Sequence, residues 1–477
     1  MNTPSHLRHA LMLACATVLA GCAAPPDREA RPQAMAVERL ASADSLAAAP
    51  AARWPADAWW RAYGDAQLDA LIAEALADAP TLAAARARLH KAQAAADRGV
   101  AERRPRLDAN ASITAQQQSE NHLSPPSATP NGWHDYGRAT LDFSWDLDLW
   151  GQRRAALAAA VSEAAAAEAD LAQSRLLLST AIAASYAELA RAYAALDTAK
   201  AAFEVRAKTA TLFAERQRNG LETLGSVRQV ESRRASAAAD VLAIEEQIVL
   251  QRHRLAALMG AGPDRGLSIE RPAEQALRPL GLPAQLPAQL IGRRPDLVAA
   301  RLRAEASAKR IDEAQAAFYP NVNLLAFVGV QSLGLDMLAR GASAIGSVGP
   351  AVSLPIFDGG RLRSRLRGAD ADHALAVAEY DRTLVRALQD VADAAASQRA
   401  LGAQLERSDE AVNLAREAWQ VQNRRYEGGL ATYLEVLSAE DSLLATLRSQ
   451  ADLRSRAFSL DVALVRALGG GYSAPSL

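Results

Sequence analysis

The sequence predicts a mixed α/β membrane protein made of two tandem repeats, in which long coiled-coil helices follow short membrane-length strands. Two stretches of the chain are rich in alanine, free of proline and much longer than a globular domain requires, which is typical of coiled coils or helical arrays. Four shorter segments alternate between apolar and polar residues, which indicates strands with one apolar face. The two helical stretches break in the same way, and this internal similarity indicates the repeat.

The longest helix is predicted from 361 to 427. Its apolar residues recur at helical spacing, and at about 1.5 Å per residue it would extend roughly 100 Å. It breaks at Gly428 and Gly429, and a further helix is predicted from 431 to 468. A helix of this length is typical of a coiled coil or a helical array.

The first repeat has the same order of elements. Helices are predicted at 151–219 and 226–259, on either side of a break at Gly220. A repeat of this length is one supersecondary unit used twice, and neither copy can bury its apolar stripe alone. The breaks align position by position: Gly220 with Gly429, Leu221 with Leu430, Thr223 with Thr432, Val227 with Val436, and Glu231 with Glu440.

The repeats divide the rest of the chain. The first repeat is predicted to cover 54–260 and the second 295–469, with a linker rich in proline and leucine at 261–294. The second repeat opens with a helix at about 295–317, whose initial proline suits a first helical turn. Residues 470–477 are predicted to form a short disordered tail.

Each alternating segment has about the 9–11 residues that a tilted strand needs to cross a bilayer. Polar loops at 119–135 and 332–346 join the strands in pairs, and long polar loops at one end are typical of a membrane barrel. For any single strand, a small two-sided sheet in a soluble domain is the alternative. The strands are predicted at about 107–118, 137–149, 322–332 and 347–357.

Four strands cannot close a barrel. In lipid, an open edge leaves unpaired backbone groups, each costing several kcal/mol, so the barrel must be completed by other copies of the chain. A dimer would supply about eight strands and a trimer about twelve, and small membrane barrels begin near eight. The periodicity of the sequence does not choose between the two.

The composition is that of a packed protein, with 50% hydrophobic and 22% charged residues and a formal net charge of −1. This balance gives no electrostatic reason to expect nucleic acid as a partner. Aromatic residues make up only 5% of the chain, so the helices must pack through interdigitated alanine and leucine side chains. No apolar stretch of about 18 residues follows the N-terminus, so no transmembrane helix is expected.

Residues 1–21 are predicted to be a signal peptide, with positive charge, a short apolar run and small residues in that order. The run ends in Leu-Ala-Gly-Cys, which resembles the bacterial lipobox, so Cys22 is predicted to carry lipid and 22–53 to be a lipidated tether. Acyl chains anchor a protein at roughly 0.8 kcal/mol per buried CH₂, without a spanning helix. The alternative is that Cys22 only lies near a cleavage site. The following residue is Ala23 rather than aspartate, which indicates sorting to the outer membrane of a Gram-negative bacterium.

No catalytic constellation is present in the sequence. The histidines are scattered without HExxH or Cys/His spacing, so neither a metal nor any other cofactor is expected beyond the lipid on Cys22. The segment 357–360, Phe-Asp-Gly-Gly, lacks both GxGxxG and the P-loop lysine, and it is interpreted as a bend between strand and helix. The chain is therefore predicted not to be an enzyme.

Six stretches match one known family in its order along nearly the whole chain. The chain resembles the TolC-type outer-membrane factors, in the NodT-like lipoprotein branch of tripartite efflux systems. The resemblance implies a homotrimer with a twelve-stranded transmembrane β-barrel, a hollow coiled-coil α-barrel across the periplasm and a helical belt around its middle. It also implies docking on a periplasmic adaptor protein and an inner-membrane pump. The stretches are LAGC, WWRAYGDAQLDALIAEAL, SWDLDLWGQRRAAL, RRPDLVAARLRAEA through AAFYPNVNL, LPIFDGGRLRSRL and RRYEGGLATYLEVLSAEDSLL.

By this resemblance the two helix breaks line the periplasmic tip. Glycine permits a tight turn that a side chain would obstruct. The tip positions that would pack against the adaptor are Gly220, Leu221, Gly428, Gly429 and Leu430.

The family commonly closes its aperture with rings of side chains near this tip. Leu434 lies at an apolar ring position, Glu435 and Ser438 at positions that are often acidic, and Ser226 at one that is acidic in some relatives. Ala431 replaces a basic residue that holds some relatives shut, so a salt-bridge lock cannot be transferred to this chain. The hypothesis is a Leu434 constriction with a cation-favouring Glu435 ring. The alternative is that both are ordinary helix residues.

The predicted function is a passive outer-membrane duct for small molecules, with energy supplied by the partner pump. The first alternative is a periplasmic adaptor lipoprotein, which would carry one helical hairpin between soluble β-domains. The second is an envelope tether, which would not need alternating strands. The sequence does not identify the transported compound or the energy source of the pump.

Overall fold

The computed structural model describes residues 31–41, 54–119, 130–273 and 286–474. Short 3-10 turns lie at Val37–Arg39, Trp59–Tyr63, Leu335–Met337 and Gly341–Ser343. The signal peptide, Cys22 and part of the predicted tether lie outside the described residues. The longer elements are α1 (Ala66–Asp78), α2 (Pro80–Ala101), β1 (Arg106–Gln117), β2 (Trp133–Asp146), α3 (Gln152–Arg218), α4 (Leu224–Met259), α5 (Asp264–Leu267), α6 (Leu286–Arg293), α7 (Pro295–Ala316), β3 (Asn321–Leu333), β4 (Ala344–Ser353), α8 (Arg361–Glu427) and α9 (Tyr433–Ala467).

The four long helices begin and end within two residues of their predicted limits, because alanine-rich runs without proline end at glycine. The strands differ more. β2 ends at Asp146 rather than 149, where Asp148 takes a positive φ and its N–H is bonded by the Asp146 carboxylate. β4 ends at Ser353 rather than 357, and Asp358 then accepts the N–H of Leu362 to begin α8. Apolar alternation therefore continues a few residues beyond strand pairing.

The described chain divides into two compact units, and each combines segments from both sequence repeats. The first includes 89–166 and 300–380, and the second includes 35–88, 167–299 and 381–474. The repeats are therefore not the compact units. The reason is that the apolar stripe of each repeat is buried against helices of the other repeat.

The first unit contains an antiparallel sheet in the order β1-β2-β3-β4. Its register collects the apolar residues of all four strands on one face, since Leu141 pairs with both Ala109 and Val328. On that face Ile113 is 70% exposed and Val348 77%. The opposite face is largely polar.

In the second unit, α1 packs on α3 and α4 through buried apolar side chains. Asp65 caps α1 by accepting the N–H groups of Gln67 and Leu68, and its other oxygen accepts the Tyr186 hydroxyl at 2.8 Å. The hydroxyl of Tyr63 donates to Asp461 on α9. Among the described residues, no helix has the length and apolarity needed to cross a bilayer.

The prediction of a disordered tail from 470 is wrong for 470–474. Gly470 is buried, and the N–H of Ala474 donates to the carbonyl of Gly292 at 3.0 Å. The left-handed φ of the glycines at 469–471 turns the chain back onto the second unit, which sequence polarity alone did not indicate. The predicted linker 261–294 also contains helices, α5 and α6.

Candidate functional site

The two helix breaks fold into the same tight turn. In the first, Gly220 has φ +75° and the N–H of Leu221 donates to the carbonyl of Arg216 at 2.8 Å. This is the Schellman motif, which ends a helix on a residue in the left-handed region. In the second turn Gly429 has φ +73° and the bond from Leu430 to Arg425 is 2.7 Å. Residues 220–223 and 429–432 are called the paired turns below.

Glycine is required at two of the three predicted positions, but not for the predicted reason. A Cβ at Gly220 or Gly429 would meet nothing within 4 Å, so no side chain is obstructed there. The requirement is the left-handed backbone, which costs an L-residue roughly 1–2 kcal/mol. Gly428 does not have a positive φ, and a Cβ there would make an ordinary 3.5 Å contact with the Arg424 carbonyl.

A threonine caps the helix that follows each turn. The hydroxyl of Thr223 accepts the N–H of Ser226 at 3.1 Å. In the second turn Glu435 completes a capping box by accepting both the N–H and the hydroxyl of Thr432, and these bonds hold the pKa of Glu435 below its usual value. Ser226 and Glu435 thus occupy the same position, three residues after the cap, and only Glu435 brings charge.

The paired turns expose leucines. Leu221 is 65% exposed, Leu430 74% and Leu434 64%, and Leu224 is also exposed. Leu434 lies in the first turn of α9, and Ser438 is exposed one turn further along. Neighbouring apolar side chains left in solvent indicate a binding surface.

An aromatic cluster that the sequence analysis missed lies at the ends of the helices that the paired turns join. The ring centroids of Phe213 and Tyr433 are 4.3 Å apart, and those of Tyr426 and Tyr433 are 5.5 Å apart. The guanidinium of Arg216 lies 5.7 Å from the Tyr426 ring centroid. Burial raises the pKa of Tyr433 to about 12. Since these residues come from α3, α8 and α9, the cluster packs the two hairpins against each other.

A charged cluster, also missed, lies about two helical turns further along α9. Glu440 is buried and lies 3.6 Å from Arg206 of α3, and burial raises its pKa. Asp441 binds Arg206 at 2.9 Å and Arg233 of α4 at 2.8 Å. The available signal was the alignment of Glu440 with Glu231, which did not distinguish a buried carboxylate from an exposed one. Within the described chain, no group of three or more His, Cys, Asp or Glu side chains could hold a metal ion.

The family model for outer membrane efflux proteins matches residues 71–261 and 286–470. The chain belongs to this family. It is 49% identical to VceC of Vibrio cholerae, covering 88% of this chain and 100% of VceC with a TM-score of 0.83. The outer-membrane channel OprN is 29% identical, with a TM-score of 0.84 over 94% of this chain and 99% of its own. The multidrug resistance outer membrane protein MdtP of Escherichia coli is 32% identical over 471 residues, which is 97% of this chain and 96% of MdtP.

These comparisons confirm the predicted fold class, in which a helical α-barrel is combined with a transmembrane β-barrel. They also confirm the predicted function and location: the chain is an outer-membrane channel component of tripartite efflux that extends into the periplasm. The alternative of a periplasmic adaptor is wrong. The relatives are channel proteins, and the absence of a catalytic site or cofactor stays a prediction.

Replacing Gly429 by alanine should loosen the second turn, because the left-handed φ costs an L-residue roughly 1–2 kcal/mol. Hydrogen exchange of the Leu430 amide, which donates to Arg425, should accelerate about fivefold or more. Gly428→Ala is the matched control, since its φ lies outside the left-handed region, and exchange should not accelerate there. Equal exchange in the two variants would contradict this reading of the turn.

Proposed function

We propose that three copies of this chain assemble into a passive duct that carries small molecules from an inner-membrane pump and its adaptor to the cell exterior. The observation that carries the proposal is the sheet, which has an exposed apolar face and two free edges. Among the described residues, β1 pairs only with β2 and β4 only with β3. In lipid these edges need partners, and β1 of one copy can pair with β4 of the next.

The number three rests on the resemblance to TolC-type factors, since two copies would also close a ring of about eight strands. Three copies would give a barrel of about twelve strands whose apolar face meets lipid. The polar face, which includes Asn110 and Thr140, would then line the interior. Such a duct contains no energy source of its own, so transport depends on the pump.

The paired turns are proposed to dock the adaptor. Leu221 and Leu430 are exposed large apolar side chains of the two turns, and Gly220 and Gly429 hold the backbone that presents them. The aromatic cluster joins the two hairpins, so the position of one turn is coupled to the position of the other when a partner binds. Gly428 is part of the surface of the second turn, but its backbone is not in the left-handed conformation that requires glycine.

The gate is proposed at the start of α9. Leu434 would form an apolar constriction, and an ionised Glu435 from each copy would place three carboxylates near one axis and favour cations. Ser438 and Ser226 would add polar, uncharged lining. The alternative is that Glu435 serves only as a helix cap, a role that its bonds to Thr432 already explain.

Lipidation of Cys22 is proposed as a second membrane contact. Arg31 forms an ion pair with Asp312 at 2.7 Å, near the end of the helix that leads into β3. The chain between Cys22 and Arg31 can span at most roughly 30 Å, so the lipid would lie close to the membrane end of the first unit. Mass spectrometry of the mature protein tests this, because Cys22→Ser should lose the acyl mass.

Planar-bilayer recording, with chemical crosslinking to count subunits, tests the duct and its gate together. We expect trimers with small, rarely opening channels, because the tips stay closed without a partner. Leu434→Ala should raise conductance or open time, since it removes the apolar constriction. Monomers without conductance would overturn the duct, whereas active trimers unchanged by Leu434→Ala would overturn only the gate.

Photo-crosslinking in living cells tests the docking surface. A photoreactive residue at 430 should give a product that contains a periplasmic adaptor, and the same residue at 375 should not. Leu375 is the matched control because it is 62% exposed on α8, far along the chain from the turn. Leu430→Asp should reduce efflux without reducing the amount of trimer. Adaptor products at 375 but not at 430 would place the docking surface elsewhere.

A further inference from the structure

A groove in the second unit carries an excess of positive charge. It encloses about 310 Å³, and its lining includes four arginines and only two aspartates. An adjoining cavity of about 400 Å³ shares part of this lining and adds side chains from α3 and α9. The charged residues are Arg294, Arg382, Arg386, Arg466, Asp296 and Asp390.

The two aspartates are engaged by an arginine of the groove. Arg294 is buried and binds Asp296 at 2.6 Å and Asp390 at 3.0 Å. In the part of the chain that the structure describes, the side chains of Arg386 of α8 and Arg466 of α9 make no hydrogen bond or ion pair. Two free guanidinium groups therefore lie in a groove whose acidic groups are already paired.

The groove lies on the side of α3 away from Trp59, Trp60 and α1, the segment that would form the belt of the proposed duct. Residues 168, 172, 175 and 179 of α3 line a cavity with Trp59 and Trp60. Residues 173, 177, 180 and 184 line the arginine groove and its extension. At about 100° per residue, these two sets point roughly 140° apart. In the proposed duct, where a helical belt surrounds the α-barrel, the groove would face the interior.

We propose that this groove is a transient binding site for organic anions in the duct interior, and this inference rests on the proposed duct but not on a cation-favouring Glu435 ring. A guanidinium group binds carboxylate, sulfonate or phosphate through paired charge-assisted hydrogen bonds. Leu177 and Ala463 add apolar surface beside the two free arginines, which suits an anion with an apolar body. Because the guanidinium groups are exposed to water and salt, binding is weak enough to permit release.

Binding of a trisulfonated pyrene dye to the purified full-length protein in detergent, followed by fluorescence anisotropy, tests the groove. Arg386→Gln and Arg466→Gln should each weaken binding about tenfold, since each removes one charge-assisted contact. Arg386→Lys keeps the charge and should retain most of the affinity. Asp390→Asn should strengthen binding because it removes a negative charge. Arg456→Gln is the matched control on α9, where Arg456 contacts Gln404 outside the groove, and it should change nothing.

Two results would overturn the proposal. The first is dye binding that is absent, unaffected by Arg386→Gln and Arg466→Gln, or weakened equally by Arg456→Gln. The second is an Arg386→Cys variant that a water-soluble thiol reagent cannot label in the assembled protein, because a second copy would then cover the groove. Bilayer conductance of the same variants separates this inference from the duct: conducting channels with unchanged dye affinity reject the groove alone.

Discussion

Unpaired backbone groups at the edges of an apolar sheet are the constraint on which this protein depends. Among the described residues, the strands of one chain make a sheet whose edges, β1 and β4, have no partner strand, and open edges are not tolerated in lipid. In the proposed trimer, neighbouring copies of the chain close the sheet, and copies arranged around an axis bring equivalent helices together around that axis. In that assembly the equivalent paired turns would also converge around the axis.

The two repeats share a backbone and differ in chemistry. Both turns end in a Schellman motif and restart with a threonine cap, as their aligned glycines and threonines require. The aligned glutamates behave differently, since Glu440 is buried beside Arg206 whereas Glu231 pairs with Arg228 of its own helix at 2.7 Å. The two repeats therefore share the same turn backbone. They differ at the aligned glutamates, of which Glu440 of α9 is the buried one and lies against Arg206 of α3.

In the groove of the second unit, burial decides whether an arginine needs an acidic partner. Arg294 is buried and pairs with two carboxylates, as a desolvated cation must. Arg386 and Arg466 can remain free because water reaches them in the groove. Near the turns, leucines are exposed, whereas Phe213 is buried and Tyr426 and Tyr433 are partly buried against it, and exposed neighbouring leucines indicate a binding surface.

The sequence by itself determined the helices, the turns, the strand faces and the family, because helical period, glycine breaks and alternation are local signals, and the motifs extend along the chain. The sequence did not determine where the strands end, because apolar alternation continues past the residues that pair, as at 147–149. Tertiary structure alone decided that Gly470 packs, that Phe213 meets Tyr433, and that Arg386 and Arg466 share one groove. These contacts join residues far apart in the chain, and no local pattern specifies which side chains a distant helix will meet.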